Sequence, residues 1–500
     1  MKPLGLVCRL LFVGALVVMV AGGCKKDSGP VCGDGVIEGD EVCDSTNLAG
    51  ETCESISGEA DGELRCAPDC LSFEDAACHV CGNGELEGSE DCEGDTGGTT
   101  CEDLGYAGGS LTCTVDCHYD ESHCWRCDDG VCQSADGETR DACPSDCGWY
   151  DVAVGYRFSC GLIRGTGPFC WGEGVGPLAL LLNGGTRLES IVNGFGAMLG
   201  TDDEGVVWMW FQGNPTAPDT PELAQATEIS AFGAGGNHYC FTTADGQAWC
   251  NGTNESGQLG DGTTDTPGDA VPVIGLDDVI SIAAGAQHSC AVSADGRVWC
   301  WGEGTAGKLG DGGDHDTCDV GGTIIDCAPS PVQAAGITDA VTVTAGGLHT
   351  CATTSGGEIW CWGLDDHGQV GDGPESDTCT TTAGDFPCRA TPVQVAGLTD
   401  VTQASAGNFY TCAVYGELVN CWGQNANGQL GNNSTMDEHA PVSVPILRVR
   451  RVVAADTHTC AVCTDGGLQC WGQNDLGQLG DSTFDNSLVP VDVADSSDMP

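Results

Sequence analysis

The sequence predicts an all-β protein: a seven-bladed β-propeller over residues 148–500, preceded by an N-terminal disulfide-rich, loop-dominated region. Three observations predict it. One hairpin phrase, two apolar runs around a glycine-containing turn, recurs along residues 151–500. Its copies are spaced as an array of units that cannot bury their faces alone, and all-β units of this length close into propellers. Cysteines crowd residues 32–147 and thin out beyond Gly148, where Trp and Val appear.

The chain carries 74 acidic and 16 basic residues, a formal charge of −58. Such a field repels nucleic-acid phosphates and anionic lipid heads, which excludes nucleic acid as a partner. Thirty-five cysteines require an oxidising compartment unless they hold metal. The N-terminus identifies the compartment. Lys2 and Arg9 flank an apolar run from Leu10 to Val20, and Ala21-Gly22-Gly23-Cys24 follows. This pattern resembles a bacterial lipoprotein signal: residues 1–23 are the signal peptide, and the Cys24 thiol is the lipidation site. Ala21 stands where leucine is usual. The run is shorter than a membrane-crossing helix needs, so membrane contact is expected through the lipid alone. Lys25 follows Cys24, with no aspartate to favour the inner membrane. The expected location is exported and lipid-anchored, at the outer membrane or cell surface.

A linker at 24–31 leads into repeated cysteine modules. Cys32, Cys43, Cys53, Cys66, Cys70 and Cys78 (module 32–80) are matched by Cys81, Cys92, Cys101, Cys113, Cys117 and Cys124 (module 81–126). A shorter third unit, 127–147, holds Cys127, Cys132, Cys143 and Cys147. Each unit places Asp before a late cysteine: Asp69-Cys70, Asp116-Cys117 and Asp146-Cys147. Six cysteines per module imply three bridges whose connectivity the sequence leaves open. The Cys78/Cys81 and Cys124/Cys127 pairs fall at module joints too far apart for a zinc ribbon, so disulfides are expected. The openings Cys32-Gly33-Asp34-Gly35 and Cys81-Gly82-Asn83-Gly84 resemble the cysteine-rich repeat of myxobacterial lipoproteins, which implies a surface spacer. No Asp-x-Asp-x-Asp-Gly calcium loop is present.

The repeat is clearest in Ala284-Gly285-Ala286-Gln287-His288-Ser289-Cys290-Ala291-Val292, followed by Asp295-Gly296, Val298-Trp299-Cys300-Trp301-Gly302 and Gly307-Lys308-Leu309-Gly310-Asp311-Gly312. Its first cysteine falls at Cys160, Cys240, Cys290, Cys351, Cys412 and Cys460. In the long gap after Cys160, Leu199 and Met209 hold the two cysteine positions, which makes seven hairpins. The Gly-x-x-His-x-Cys, Trp-Gly-x-Asn and Gly-Gln-Leu-Gly-Asp phrases resemble regulator of chromosome condensation repeats, and seven is the blade number of that family. Blades 1 and 2 depart from the pattern: Trp171-Gly172 is not followed by Gly-Gln-Leu-Gly, and Phe211 follows Trp210.

Across the Asp-Gly turn of blade 4, facing positions sum to 590, so Cys290 faces Cys300 at a separation that a disulfide can span. In blade 6 a two-residue turn at Gly416-Glu417 again sets Cys412 against Cys421. By the same register Cys160 pairs with Cys170, Cys240 with Cys250, Cys351 with Cys361 and Cys460 with Cys470. Blade 2 lacks both cysteines, as expected of a bonded pair. Two insertions carry private pairs, Cys318 with Cys327 in loop 313–330 and Cys379 with Cys388 in loop 374–391. Cys463 is the candidate free thiol, since removing Cys8 and Cys24 leaves an odd number. His238, His288, His349 and His458 lie two places before a cysteine, and a Cys-His-Cys metal site is the competing idea. Blades 1 and 6 keep both cysteines with Phe158 or Tyr410 there, so the histidines are expected to hydrogen-bond a loop.

No catalytic motif is present: there is no His-Glu-x-x-His, Gly-x-Ser-x-Gly or phosphate loop. No catalytic residue, cofactor or metal is expected. The leading expectation is a non-catalytic surface-anchored adhesion or binding protein, with an unknown protein partner at loops 313–330 and 374–391. The resemblance offers two alternatives. One is an extracytoplasmic enzyme inhibitor like β-lactamase inhibitor protein II; the other, guanine-nucleotide exchange, is disfavoured because an exported acidic chain meets no cytosolic GTPase.

Overall fold

The computed structural model describes residues 148–494 except 164–167, 182–187, 194–196, 203–206, 212–213, 220–228, 236, 314, 375–376 and 382–383. Upstream it describes 36–37, 41–44, 47–52, 55, 64–74, 86, 91–114, 117–127, 142–143 and 147. The expected signal, Cys24, the linker, and Cys32, Cys53, Cys78, Cys81 and Cys132 lie outside the described residues. The chain divides into two compact units, one ending at Arg126 and the other beginning at Cys127. In the third cysteine unit Cys127 is bonded to Cys143.

In the first unit, disulfides stand in for a core. The two modules are wired alike: Cys43 joins Cys66 and Cys92 joins Cys113. Cys101 joins Cys124, so the Cys-x-x-Cys joint is not a metal knuckle. The recurring Asp-Cys has a local cause. Asp69 Oδ1 accepts the Leu71 N–H at 3.0 Å, an Asx turn, and Cys70 takes a left-handed φ of 56°. Cys117 repeats the conformation at 57°.

The second unit is a β-propeller, and among its described residues there are seven four- or five-stranded antiparallel sheets, each built from consecutive strands. Blade 4 is representative. Val279–Ala284 is innermost, His288–Ser293 and Val298–Glu303 follow, and Thr323–Gln333 lies outside. The pairs Cys290/Cys300, Ala291/Trp299 and Val292/Val298 are in register, as the turn arithmetic requires. Blade 6 keeps Tyr415/Leu418 and Cys412/Cys421, and blade 2 sets Leu199 against Met209.

The core lies between blades rather than inside any one. Val292, Val298, Val343, Ala352 and Trp362 form one such layer between blades 4 and 5. Trp149, Trp171, Val462 and Leu479 form the layer that joins blade 7 to blade 1. Every joint from blade 3 round to blade 1 also carries one polar knot. The indoles of Trp301, Trp362, Trp422, Trp471 and Trp171 are fully buried. They donate to the main-chain carbonyls of Gln258, Lys308, Gln369, Gln429 and Gln478 in the preceding blade at 2.8–3.0 Å. The same carbonyls accept the hydroxyls of Ser289, Thr350, Thr411, Thr459 and Ser159.

Glycine is required where these turns meet the indoles. Gly310 sits at φ +77°, and a Cβ there would lie 2.5 Å from Trp362 Nε1. Any side chain would displace the ring whose N–H seals the joint.

Candidate protein-binding face

The repeat histidines do not reach a loop, as expected, but the neighbouring blade. Nε2 of His238, His288, His349 and His458 lies 2.8 Å from the hydroxyl of Ser289, Thr350, Thr411 and Ser159, respectively. Each hydroxyl already donates to a carbonyl and so must accept from the imidazole, which fixes the neutral Nε2–H tautomer. Burial pushes His238 down to about 4 and His349 and His458 to about 3. Burial, helped by the charge of Lys308, holds His288 well below its ordinary value. In blade 6 the Tyr410 hydroxyl takes this place, 2.9 Å from that of Thr459. Among the described residues no group of three His, Cys, Asp or Glu side chains is placed to hold a metal ion.

The inner strands enclose a central cavity of about 250 Å³, walled largely by small residues such as Ala284, Ala345, Ala404 and Ala454. Several of its polar groups are engaged, Gln403 with the Val452 carbonyl and Ser405 with the Ala454 N–H. Arg451 pairs with Asp151, and Asn408 Nδ2 donates to Asp456 at 2.6 Å. Burial raises the Asp456 carboxyl despite that bond.

The two ends of the propeller differ. At one end the turns between second and third strands meet the links between blades, as where Ala340 N–H donates to the Gly296 carbonyl. At the other, the turns between first and second strands meet the insert-bearing connections: the Glu303 N–H donates to the Gln287 carbonyl, and the Leu364 N–H to the Leu348 carbonyl. Both inserts therefore stand on the same end as those turns.

The inserts, expected as loops, are hairpins that add a fifth strand to blades 4 and 5. Asp316–Val320 pairs with Thr323–Gln333, and Asp377–Thr381 with Gly384–Gln394. The blade 4 hairpin turns through Gly321-Gly322, both at positive φ, a glycine pair that signals a hairpin in the sequence. Cys318–Cys327 and Cys379–Cys388 are closed diagonally across their ladders, with Cα atoms 5.9 and 5.8 Å apart. The hairpin cysteine pairs expected in blades 1, 3, 4, 5, 6 and 7 are joined within their own blades, with Cα separations of 4.0–4.1 Å. Cys463 is a free, buried cysteine, and burial together with Asp465 and Asp492 pushes its thiol up to about 11.

Each insert is pinned to its own blade by a cation. In blades 3, 6 and 7 a buried Asn organises the corresponding connection; Asn474 Nδ2 reaches Asp481 at 3.0 Å and the Asp485 carbonyl at 3.1 Å. Blade 4 has Gly304 at that position, and a Cβ there would lie 2.3 Å from Asp326 Oδ2. The vacated space holds His315, clamped between Asp311 at 2.9 Å and Asp326 at 3.0 Å. Asp326 and Asp311 raise His315 to about 9 against the effect of burial, so the bridge is an imidazolium at neutral pH. In blade 5, Arg389 spans Asp372 at 2.6 Å and Asp377 at 3.0 Å. The blade 5 insert packs on blade 4: a Cβ on Gly307 of the blade 4 connection would lie 2.5 Å from the Cα of Ala390 in that insert.

A histidine whose folded pKa is raised stabilises below its ordinary value, and that contribution is lost as pH climbs through the folded one. His315→Gln should thus lower the amide protection factors of Val320 and Thr323 at pH 7, while the native chain loses protection there only near about pH 9. Equal protection in both chains at pH 7 would refute the clamp.

Between the blade 4 insert and the first-to-second-strand turns lies a cleft of about 670 Å³. Val320 of the insert forms one wall, Leu348 and Phe409 at the turn tips another, and the exposed Glu255 supplies charge, while Glu303 is paired with Lys308. Phe409 is braced edge-on by His367 with centroids 5.7 Å apart, and His367 Nδ1 bonds Asp437 at 2.7 Å.

Among the described residues a ring of four- and five-stranded sheets, six of them closed by hairpin disulfides, surrounds a channel walled by small residues, which is the architecture of a β-propeller. The chain belongs to the RCC1-like domain family, which matches residues 169–499. It is 35% identical to the ultraviolet-B receptor UVR8 of Arabidopsis thaliana over 147 residues, 28% of this chain and 31% of the receptor. It is 34% identical to the probable E3 ubiquitin-protein ligase HERC4 of Rattus norvegicus over 248 residues, 48% of this chain and 22% of the ligase. The chain thus spans less than a third of either relative. Among solved structures, human WBSCR16 is similar with a TM-score of 0.53 at 20% identity, over 64% of this chain and 84% of that one. Prp20p of Saccharomyces cerevisiae is similar with a TM-score of 0.52 at 17% identity, over 62% and 80%. At these identities the likeness is one of fold.

Proposed function

We propose that this chain is a non-catalytic, surface-anchored protein-binding module that presents the insert end of its propeller to a protein partner. The observation that carries this reading is the pair of inserts on neighbouring blades, each closed by its own disulfide and pinned by a cation to its blade. Preordered loops lose less entropy on binding, and binding residues concentrate on loops held by a rigid scaffold. Family membership agrees with a binding role, since the relatives include a receptor, and Prp20p binds Gsp1p and histones. The ligase activity of HERC4 belongs to a protein of which this chain matches 22%.

Replacing both inserts by the short Gly262-Thr263-Thr264-Asp265 connection of blade 3 should leave the thermal transition in place and abolish partner capture from cell envelopes. Undiminished capture by that variant would rule the inserts out. An inhibitor would capture a single exported enzyme and stop its turnover, which separates the two readings. For the anchor, the mature chain should begin at Cys24 and partition with membranes. A Cys24→Ala chain that stayed wholly membrane-bound would count against the lipid.

A further inference from the structure

We infer that the cleft beside the blade 4 insert receives a lysine or arginine side chain carried on an extended segment of the partner. This rests on the protein-binding reading and says what the partner must offer. The cleft has the size of a side-chain or small-ligand site, about 670 Å³. Its walls alternate in kind. Val320, Leu348 and Phe409 are half-buried apolar surfaces, suited to the methylene stem of a long cationic side chain. Beyond them Glu255 is exposed on the blade 3 rim, while Glu303 is held at the floor by its 2.7 Å bond to the buried Lys308 ammonium. Among the described lining residues there is no lysine or arginine, so nothing in the cleft neutralises Glu255.

The formal charge of −58 makes approach of a cationic segment favourable from a distance, but that attraction is diffuse and screened by salt. The cleft adds direction. Asn237, Thr253 and Gln287 line it with amide and hydroxyl groups able to bond the main chain of an extended guest. Phe409, fixed by His367, offers an aromatic surface for a guanidinium or ammonium group.

The test uses the intact chain and a labelled peptide, Gly-Ser-Arg-Leu-Arg-Leu-Arg-Ser-Gly, with a counterpart in which glutamate replaces arginine. Fluorescence polarisation is read at about 0.15 M salt, where surface charge is screened beyond about 8 Å. The arginine peptide should bind and the glutamate peptide should not. Glu255→Gln with Phe409→Ala should weaken binding at least about tenfold, while Asp277→Asn with Asp295→Asn, on the opposite end, should leave it unchanged. Glu255→Lys alters only an exposed side chain; it should weaken binding equally, with the thermal midpoint retained. Equal weakening by the two double variants, or equal affinity for both peptides, would overturn the cleft and leave diffuse charge as the cause. Loss of partner capture on insert exchange but full capture by Glu255→Lys would likewise overturn it, with the protein-binding reading intact.

Discussion

Between pH 7 and pH 4.5 the propeller should lose about 2–3 kcal/mol of stability for each buried repeat histidine. The cause is burial without a charge partner. His238, His288, His349 and His458 are at most 3% exposed and are neutral donors to a hydroxyl of the next blade. Burial holds all four well below the ordinary 6.5, His238 at about 4 and His349 and His458 at about 3. A group depressed in this way stabilises fully above 6.5, and the contribution is lost as pH falls towards the folded value, because only the unfolded chain takes up the proton. Relief of the −58 charge in acid acts in the opposite direction, so the test compares two chains that share that background. His349→Tyr installs the residue that blade 6 uses at this position, Tyr410. Denaturant titrations at both pH values should show the variant losing about a quarter less than the parent. Identical pH slopes would mean that the histidines are not the acid-sensitive groups.

Reducing the hairpin disulfides should have the other large effect, about 3 kcal/mol per bridge from the loop it closes. The hairpin sulfurs at Cys160/Cys170, Cys290/Cys300, Cys351/Cys361, Cys412/Cys421 and Cys460/Cys470 are all fully buried. A thiolate reagent can therefore reach them only through opening of a blade. The insert bridge of blade 5 is different, because Cys379 is only half-buried. Mass spectrometry after timed reduction with a small thiol and quenching by alkylation under native conditions should find Cys379 and Cys388 modified first, with the hairpin pairs following together once denaturant is added. Early modification of Cys290 or Cys300 in the folded chain would contradict the buried register.

The hairpins were legible because strand pairing has a period of two and one turn fixes everything beyond it. Cys290/Cys300, the shortened Cys412/Cys421 hairpin and the Leu199/Met209 pair all follow from turn position alone. The histidine bonds were not legible, because each joins residues 51 to 62 positions apart within the run of blades, and 299 apart at the seam. The inserts were half legible. Their cysteine pairs stand out, but the fifth strand is signalled only by Gly321-Gly322 inside the stretch expected as loop 313–330. The cleft could not be found in advance, since Glu255, Val320, Leu348 and Phe409 belong to four blades and no motif links them. Likewise, nothing in the spacing of His315 foretells a clamp, which depends on the absence of a side chain at Gly304.

Because each disulfide in the propeller sheets joins residues nine or ten apart, oxidation of the propeller is a sorting problem solved locally. The possible pairings multiply steeply with the number of cysteines, yet a hairpin forms in microseconds whereas sulfur chemistry takes seconds or longer. Each thiol thus meets its mate long before a distant competitor arrives. Cys463 is the one rival close at hand, three residues from Cys460 and seven from Cys470. An odd offset along a strand turns it to the other face, so pleating itself acts as the proofreader.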